Sequence, residues 1–343
     1  MKPVLILDQH FRKLEELFRP EAFDALSRVC DIRGGQNWPM ARERVTALLP
    51  EATFYVAAQP QLTEKELEGA PLLRATIEVS GAFREGLDYG ACFARGVEVL
   101  SCAPGFRQSV AEMTLAMMLT AGRGLVEEHE AMRRGAERWL DDRDGTDFTL
   151  YGQSIGFIGY GEIARETRRL LAPFSPTIMA SDPYVTAPGP EVTLCDLDTL
   201  ASTCRVVVVT AVPSEETRGI LSADLIARLR TGALVVVISR AWCTDFPALV
   251  DAALAGRIKL ATDVYPDEPL GAAHPLRQAR NVILSPHRAA AVPGGRHLIG
   301  DMILHDVTAI LEGRSGRHLK VADPALIRSL VSAQSQMHSM PNT

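Results

Sequence analysis

Three residues with reactive side chains follow short apolar runs in the second half of the chain. Arg240 comes after Leu234–Ser239, Glu268 shortly after the run that ends at Val264, and His287 after Asn281–Ser285 and Pro286. Histidine is the side chain best suited to giving and taking a proton near neutral pH. A carboxylate beside it fixes its tautomer and favours its protonated form. Arginine offers a planar fork that fits a carboxylate. Together they suit hydride chemistry at an alcohol carbon, where a base takes the hydroxyl proton and a cation holds the acid group and polarises the carbonyl. Each residue alone also reads as a surface charge or a structural histidine; their joint placement at strand ends carries the argument. Asp263 closes the strand that leads to Glu268.

Such residues need a scaffold that brings a hydride carrier to them, and the stretch from Tyr151 to Asp182 reads as that scaffold. An apolar run, Ile155–Ile158, ends at Gly159; Gly161 follows, and Ala164 is the third small residue. Ile163, Thr167, Leu170, Leu171 and Phe174 then recur with helical spacing, opposite Arg165, Glu166, Arg168 and Arg169. A second apolar run, Thr177–Ala180, reaches Asp182, 21 residues after Gly161. Strand, glycine turn, helix, strand and acid is the order of a dinucleotide site: tight turn at Gly159, close backbone approach at Gly161, close packing at Ala164. The diphosphate meets free N–H groups at a helix N-terminus. Tyr160, Glu162 and Ile163 complete the turn, although the Glu162 side chain must point to solvent. An acid at Asp182 suits a ribose hydroxyl and repels a 2′-phosphate. No Arg or Lys lies between Pro183 and Pro190, so NAD is expected rather than NADP.

Length and composition allow this. The 343 residues are enough for two domains, with 47% apolar and 23% charged residues. A net charge of −6 without a basic tract argues against a nucleic-acid partner. The six cysteines form no Cys-x-x-Cys pair, so no metal site is expected and reduced, cytoplasmic thiols are the default. No run is long enough for a signal peptide or a membrane span.

Along the chain, Val4–Leu7, Phe54–Ala57, Leu73–Val79 and Val97–Leu100 read as strands of a first α/β layer, with helices over Phe11–Leu26 and Thr63–Gly69. Ser80-Gly81-Ala82 follows a strand directly and fits either an anion nest or an ordinary turn. Ser109-Val110-Ala111-Glu112 has the spacing of a capping box that opens a helix to about Arg123. The polar stretch Glu127–Asp147, with Trp139 inside it, is a candidate arm over a neighbouring subunit. Val206–Thr210, Leu234–Ser239, Ile258–Val264 and Asn281–Ser285 complete a doubly wound sheet of six or seven strands in the second domain. Residues after about Ser332 read as a polar tail.

The sequence resembles the D-isomer-specific 2-hydroxyacid dehydrogenases from about Arg74 to Arg314. The resemblance rests on Ser109-Val110-Ala111-Glu112, Gly159-Tyr160-Gly161-Glu162-Ile163-Ala164, Ser239-Arg240, Asp263-Val264-Tyr265-Pro266-Asp267-Glu268-Pro269-Leu270, His274-Pro275-Leu276 and Ser285-Pro286-His287. Locally it is nearest the D-3-phosphoglycerate dehydrogenase branch. It implies a Rossmann-type NAD domain over 109–294, and a smaller flavodoxin-like substrate domain built from 1–108 and a return over 295–343. A cleft is implied between the two.

The roles it implies are Arg240 to orient the 2-oxo acid, His287 as general acid/base and Glu268 as its partner. Asp263 contacts the nicotinamide side, and the backbone of Ser80, Gly81 and Ala82 receives the substrate carboxylate. Val212, Pro213 and Ser239 line the cofactor. A homodimer acting on a small 2-hydroxy or 2-oxo acid is expected; the competing reading is an NAD-binding, corepressor-like sensor with little turnover. The chain departs from the family pattern at Ala241-Trp242-Cys243, in the loop after Ser80, and at Arg288-Ala289-Ala290. Trp242 either narrows the pocket or packs under its loop, and Arg288 could favour a more anionic acid.

Overall fold

The structure is a computed structural model that describes residues 2–10, 12–137, 139–140 and 145–339. The chain divides into two compact units: residues 1–107 with 290–339, and residues 108–289.

The first unit begins with five strands, β1 (Val4–Asp8), β2 (Asp31–Gly34), β3 (Ala52–Ala57), β4 (Ala75–Glu78) and β5 (Glu98–Ser101). They form a parallel sheet. Leu5, Leu7, Phe54, Val56 and Ile77 face one core, and Ile6, Tyr55 and Val99 face another on the opposite side. Such two-sided burial is the pattern of a sheet covered on both faces. The helix expected over Phe11–Leu26 is two helices, Leu14–Leu17 and Pro20–Val29, because Arg19 is extended and Pro20 opens the second one; Phe11 lies outside the described residues. Thr63 caps helix Glu64–Glu68 with the reciprocal bonds of a capping box.

The second unit carries β6 (Ser154–Ile158), β7 (Thr177–Ser181), β8 (Val192–Leu194), β9 (Val206–Val209), β10 (Leu234–Val237), β11 (Lys259–Thr262) and β12 (Val282–Leu284). All pairings are parallel, in the order β12-β11-β10-β9-β6-β7-β8. The order reverses direction between β9 and β6, the point at which doubly wound sheets bind ligands. Val206–Val209 and Leu234–Val237 are fully buried, as central parallel strands should be. Helix Arg107–Gly122 starts two residues before the expected cap. A 3₁₀ turn over Ala103–Phe106 feeds straight into it, so Ser109 is no cap; its hydroxyl donates to the Ala289 carbonyl at 2.7 Å. The candidate arm begins as helix Leu125–Arg133, and residues 138 and 141–144 of it lie outside the described residues.

The chain then returns to the first unit. Helix His297–Leu311 places Ile299, Met302, Ile303, Val307 and Ile310 in the core that holds Leu5 and Leu7. A short strand, β13 (Lys320–Val321), pairs antiparallel with β5. The expected polar tail is partly helix, Ile327–Ser339, because Ile327, Leu330 and Val331 pack on the core around Ile6 and Tyr55. In this unit His305 Nδ1 lies 2.8 Å from Asp306 Oδ1, and the His305 and His318 rings stack in parallel at 3.5 Å. Parallel stacked rings send their in-plane lone pairs along parallel lines, not onto one ion. The Asp306 carboxylate also accepts the N–H groups of His318 and Leu319, so this cluster ties a loop to the helix.

Candidate active site

The glycine turn after β6 is built as a dinucleotide site demands. Gly159 has φ +86°, and a Cβ there would lie 2.5 Å from Ala211 Cα. Only glycine fits, because the backbone leaving β9 passes against the turn. Thr210 holds that contact by donating its hydroxyl to the Gly159 carbonyl at 2.6 Å. Gly161 differs: it caps helix Glu162–Leu171, and a Cβ on it would meet nothing within 4 Å. Packing does not demand glycine there. The open side above Gly161, at a helix N-terminus without a side-chain cap, is room that a diphosphate needs. Glu162 is exposed and Ile163 half-buried at the start of that helix.

Asp182 lies half-buried just beyond β7. Its Oδ2 accepts the Tyr160 N–H at 2.7 Å and its Oδ1 the Tyr184 N–H at 2.9 Å. The carboxylate is thus fixed beside the turn, with lone pairs left for ribose hydroxyls. Tyr160 points inward, buried, with Arg165 stacked 4.9 Å from its ring, and its N–H already belongs to Asp182. Across β6, Val212 is exposed and Pro213 buried after β9. These features fit NAD.

The three reactive residues come from the carboxyl ends of neighbouring strands β10, β11 and β12. His287 Nδ1 lies 2.6 Å from Glu268 Oε2. Both side chains are partly open to solvent. The other Glu268 oxygen accepts the Tyr265 N–H at 3.0 Å, which fixes the carboxylate. Burial works to raise the Glu268 carboxyl, but the His287 hydrogen bond, the Tyr265 N–H and the charges of His287 and Arg240 bring it below the ordinary glutamate value. The influence of Arg240 on this carboxyl places the guanidinium within electrostatic reach of the pair. Arg240 is half-buried, and its Nη1 donates to the Ser239 carbonyl at 2.7 Å. Ser239 is buried.

His287 adopts φ +49°, a left-handed conformation uncommon outside glycine. Asp263 holds it there. Its backbone carbonyl accepts the His287 N–H at 2.8 Å, and its carboxylate accepts the N–H groups of Arg288 and Ala289 at 3.0 Å and the Ser285 hydroxyl at 2.5 Å. Asp263 is 1% exposed, so in this structure its carboxylate serves the histidine loop rather than an open face. Tyr265 adds a brace, its hydroxyl donating to the Ser285 carbonyl at 3.1 Å while burial pushes the phenol up to about 12. Sequence reasoning missed Ser285 and Tyr265 as supports; their immediate proximity to His287 and Glu268 in the chain was the available signal.

Trp242 packs against the loop that follows β9. Its indole N–H donates to the Ser214 carbonyl at 2.9 Å and its ring carries Arg218 at 4.7 Å. In the first unit, the Ser80-Gly81-Ala82 turn does cradle a carboxyl group, but that group belongs to Glu78. Glu78 Oε2 accepts the N–H of Ser80 at 2.7 Å, the Ser80 hydroxyl at 2.6 Å and the N–H of Gly81 at 2.9 Å, and Ser101 donates to the other oxygen. Burial raises the Glu78 carboxyl even so. The N–H groups of Ser80 and Gly81, read from sequence as donors to a substrate, are therefore already engaged.

Comparison with known proteins shows the family. The family model described as the D-isomer specific 2-hydroxyacid dehydrogenase NAD binding domain matches residues 115–289, half of the chain. The chain belongs to the D-isomer specific 2-hydroxyacid dehydrogenase family, and NAD is the cofactor of that domain. It is similar to a D-3-phosphoglycerate dehydrogenase of Archaeoglobus fulgidus, 28% identical over 279 residues, covering 80% of this chain and 52% of the relative. It is also similar to a glyoxylate reductase of Thermofilum pendens, 27% identical over 84% of this chain and 87% of the relative. A solved phosphoglycerate oxidoreductase from Rhizobium etli superposes with a TM-score of 0.83 at 29% identity, covering 94% of this chain and 99% of that one. The chain spans about half the length of the curated phosphoglycerate dehydrogenases it matches. Among the described residues no helix is long and apolar enough to cross a membrane.

Proposed function

We propose that the protein is an NAD-dependent dehydrogenase that interconverts a D-2-hydroxy acid and its 2-oxo acid. The observation that carries this reading is the 2.6 Å contact of His287 Nδ1 with Glu268 Oε2, within electrostatic reach of Arg240. Glu268 accepts a hydrogen bond from Nδ1–H and so leaves Nε2 to exchange a proton with the substrate oxygen. In reduction, the imidazolium donates from Nε2 to the oxygen that becomes the hydroxyl; in oxidation, the neutral ring takes that proton back. The Glu268 carboxylate stabilises the charged ring and holds its orientation. Arg240 grips the carboxylate and the 2-oxygen of the substrate and polarises the carbonyl. The nicotinamide, when bound, supplies or accepts the hydride. Asp263 fixes the His287 loop.

The names of the relatives point to acids of the phosphoglycerate or glyoxylate type. A homodimer in the cytoplasm belongs to the same proposal, and light scattering of the purified protein checks the dimer. The deciding experiment is a panel of 2-oxo acids with NADH, read as loss of nicotinamide absorbance, for the wild-type chain and His287→Ala. Turnover with at least one acid is expected, with kcat lowered about 10²–10⁴-fold in the variant. Tight NADH binding without oxidation by any acid would favour a sensor.

A further inference from the structure

The loops that leave β7 and β9 flank the glycine turn at the end of β6, because β6 lies between those strands in the sheet. Their roots are therefore two strand spacings apart, roughly 10 Å. A side-chain contact bridges them: the Tyr184 hydroxyl donates to the Glu216 carboxylate. Both groups are exposed, yet both ends are braced from beneath. The Tyr184 N–H is held by Asp182 Oδ1 at 2.9 Å, the carboxylate expected to meet the ribose. Glu216 sits in a turn in which Ser214 donates its N–H to Thr217 Oγ1 at 2.8 Å and the Thr217 hydroxyl donates to the Val212 carbonyl at 2.7 Å. Trp242 pins the same turn through the Ser214 carbonyl. A surface hydrogen bond between two long side chains is ordinarily worth little. Here its two ends are held in advance, across the groove in which the adenosine half of NAD belongs.

We infer that Tyr184 and Glu216 form a clasp over the adenosine half of the dinucleotide, and that Glu216 is a second bar, opposite Asp182, to a 2′-phosphate. The inference rests on the NAD groove proposed above. The hydrogen bond closes the slot on the side away from the glycine turn. The aromatic ring of Tyr184 offers a stacking face to adenine. The carboxylates of Asp182 and Glu216 approach the ribose from the two walls, so a 2′-phosphate meets negative charge on both sides. Arg165 and Arg168, on the helix after the turn, do not offset this. Arg165 stacks on Tyr160, and Arg168 is ion-paired with Glu191.

The test is equilibrium binding, by calorimetry, of NADH, ADP-ribose, reduced nicotinamide mononucleotide and NADPH to wild-type protein, Tyr184→Phe and Glu216→Gln. Tyr184→Phe should weaken NADH and ADP-ribose by the same factor, about 3–10-fold, the range for one lost hydrogen bond. The mononucleotide, which lacks adenosine, should bind both variants as it binds the wild type. Glu216→Gln should lower the preference for NADH over NADPH by about threefold or more, whereas Tyr184→Phe, which keeps the charge, should leave that ratio alone. Unchanged or tighter ADP-ribose binding by Tyr184→Phe, or an equal loss for the mononucleotide, would overturn the clasp. An unchanged NADH-to-NADPH ratio in Glu216→Gln would overturn the second bar. If the wild-type protein bound no NADH at all, the groove itself would be lost, and the clasp with it.

Discussion

Asp263 grips the chain on both sides of His287: its carbonyl accepts the histidine N–H, and its carboxylate accepts the Ser285 hydroxyl before it and the next two N–H groups after it. A residue in a left-handed conformation is thereby held by a neighbour that is 1% exposed. Asp263→Asn keeps the shape but replaces one acceptor oxygen with an NH₂ group that cannot accept. At least one buried donor is orphaned, which costs about 1–3 kcal/mol. Urea unfolding should show that loss, together with a fall in kcat larger than any rise in KM. Full kcat in a destabilised variant would mean that the grip serves the fold alone.

The state of Glu268 sets the acid side of the pH profile. Its folded value lies below the ordinary one, so its charge persists to lower pH than that of an unperturbed glutamate. The stability it contributes is present above the unfolded value and disappears at the same low pH. Any inflection of wild-type kcat/KM from this group should therefore lie on the acid side of the ordinary glutamate value. Glu268→Gln should lower kcat/KM about tenfold or more across the neutral range, in keeping with the loss of a charged partner. A variant as active as wild type from pH 5 to 8, a range chosen to bracket ordinary histidine titration, would remove Glu268 from the chemistry.

Arg240 is tested by its shape. Arg240→Lys keeps the charge and loses the fork, so kcat/KM for every 2-oxo acid accepted should drop about 10–100-fold, with little change in thermal midpoint. Near-normal efficiency would show that a point charge suffices and that the acid is held elsewhere.

The two glycines of the turn should separate folding from binding. Gly159→Ala puts a Cβ 2.5 Å from Ala211 Cα at φ +86° and should destabilise the protein by about 1–3 kcal/mol. Gly161→Ala meets no protein atom within 4 Å, so stability should change by less than about 1 kcal/mol while NADH affinity falls. Equal stability losses in both would contradict this division.

Much of this architecture was legible in the sequence because its signals are local. Glycines at fixed offsets, uninterrupted apolar runs and an acid after the second strand mark the Rossmann half, and the structure places Gly159, Gly161 and Asp182 around one turn. Other features depend on distant partners. The Ser109 motif has the letters of a capping box, yet the 3₁₀ turn before it already feeds the helix, and Ser109 bonds Ala289 instead. The Ser80–Ala82 turn looked open to an anion, and only the fold shows Glu78 turning back into it. Strand β2 was invisible because Asp31–Gly34 is a polar edge without an apolar face. Pro20 divided a helix whose apolar spacing ran straight through it.

The first unit leaves the chain at Arg107 and resumes at Ala290. Its innermost layer includes Ile299, Met302, Ile303, Val307 and Ile310, all supplied by the returning helix. A ribosome must therefore finish the entire nucleotide-binding half before the amino-terminal half can close over its greasy interior. Until then Leu5, Leu7 and Phe54 are covered by Leu17, Phe18 and Leu26 but lack the layer that the returning helix supplies. Chaperone dependence, and sensitivity to premature stop codons upstream of residue 299, should concentrate in the half that is made first.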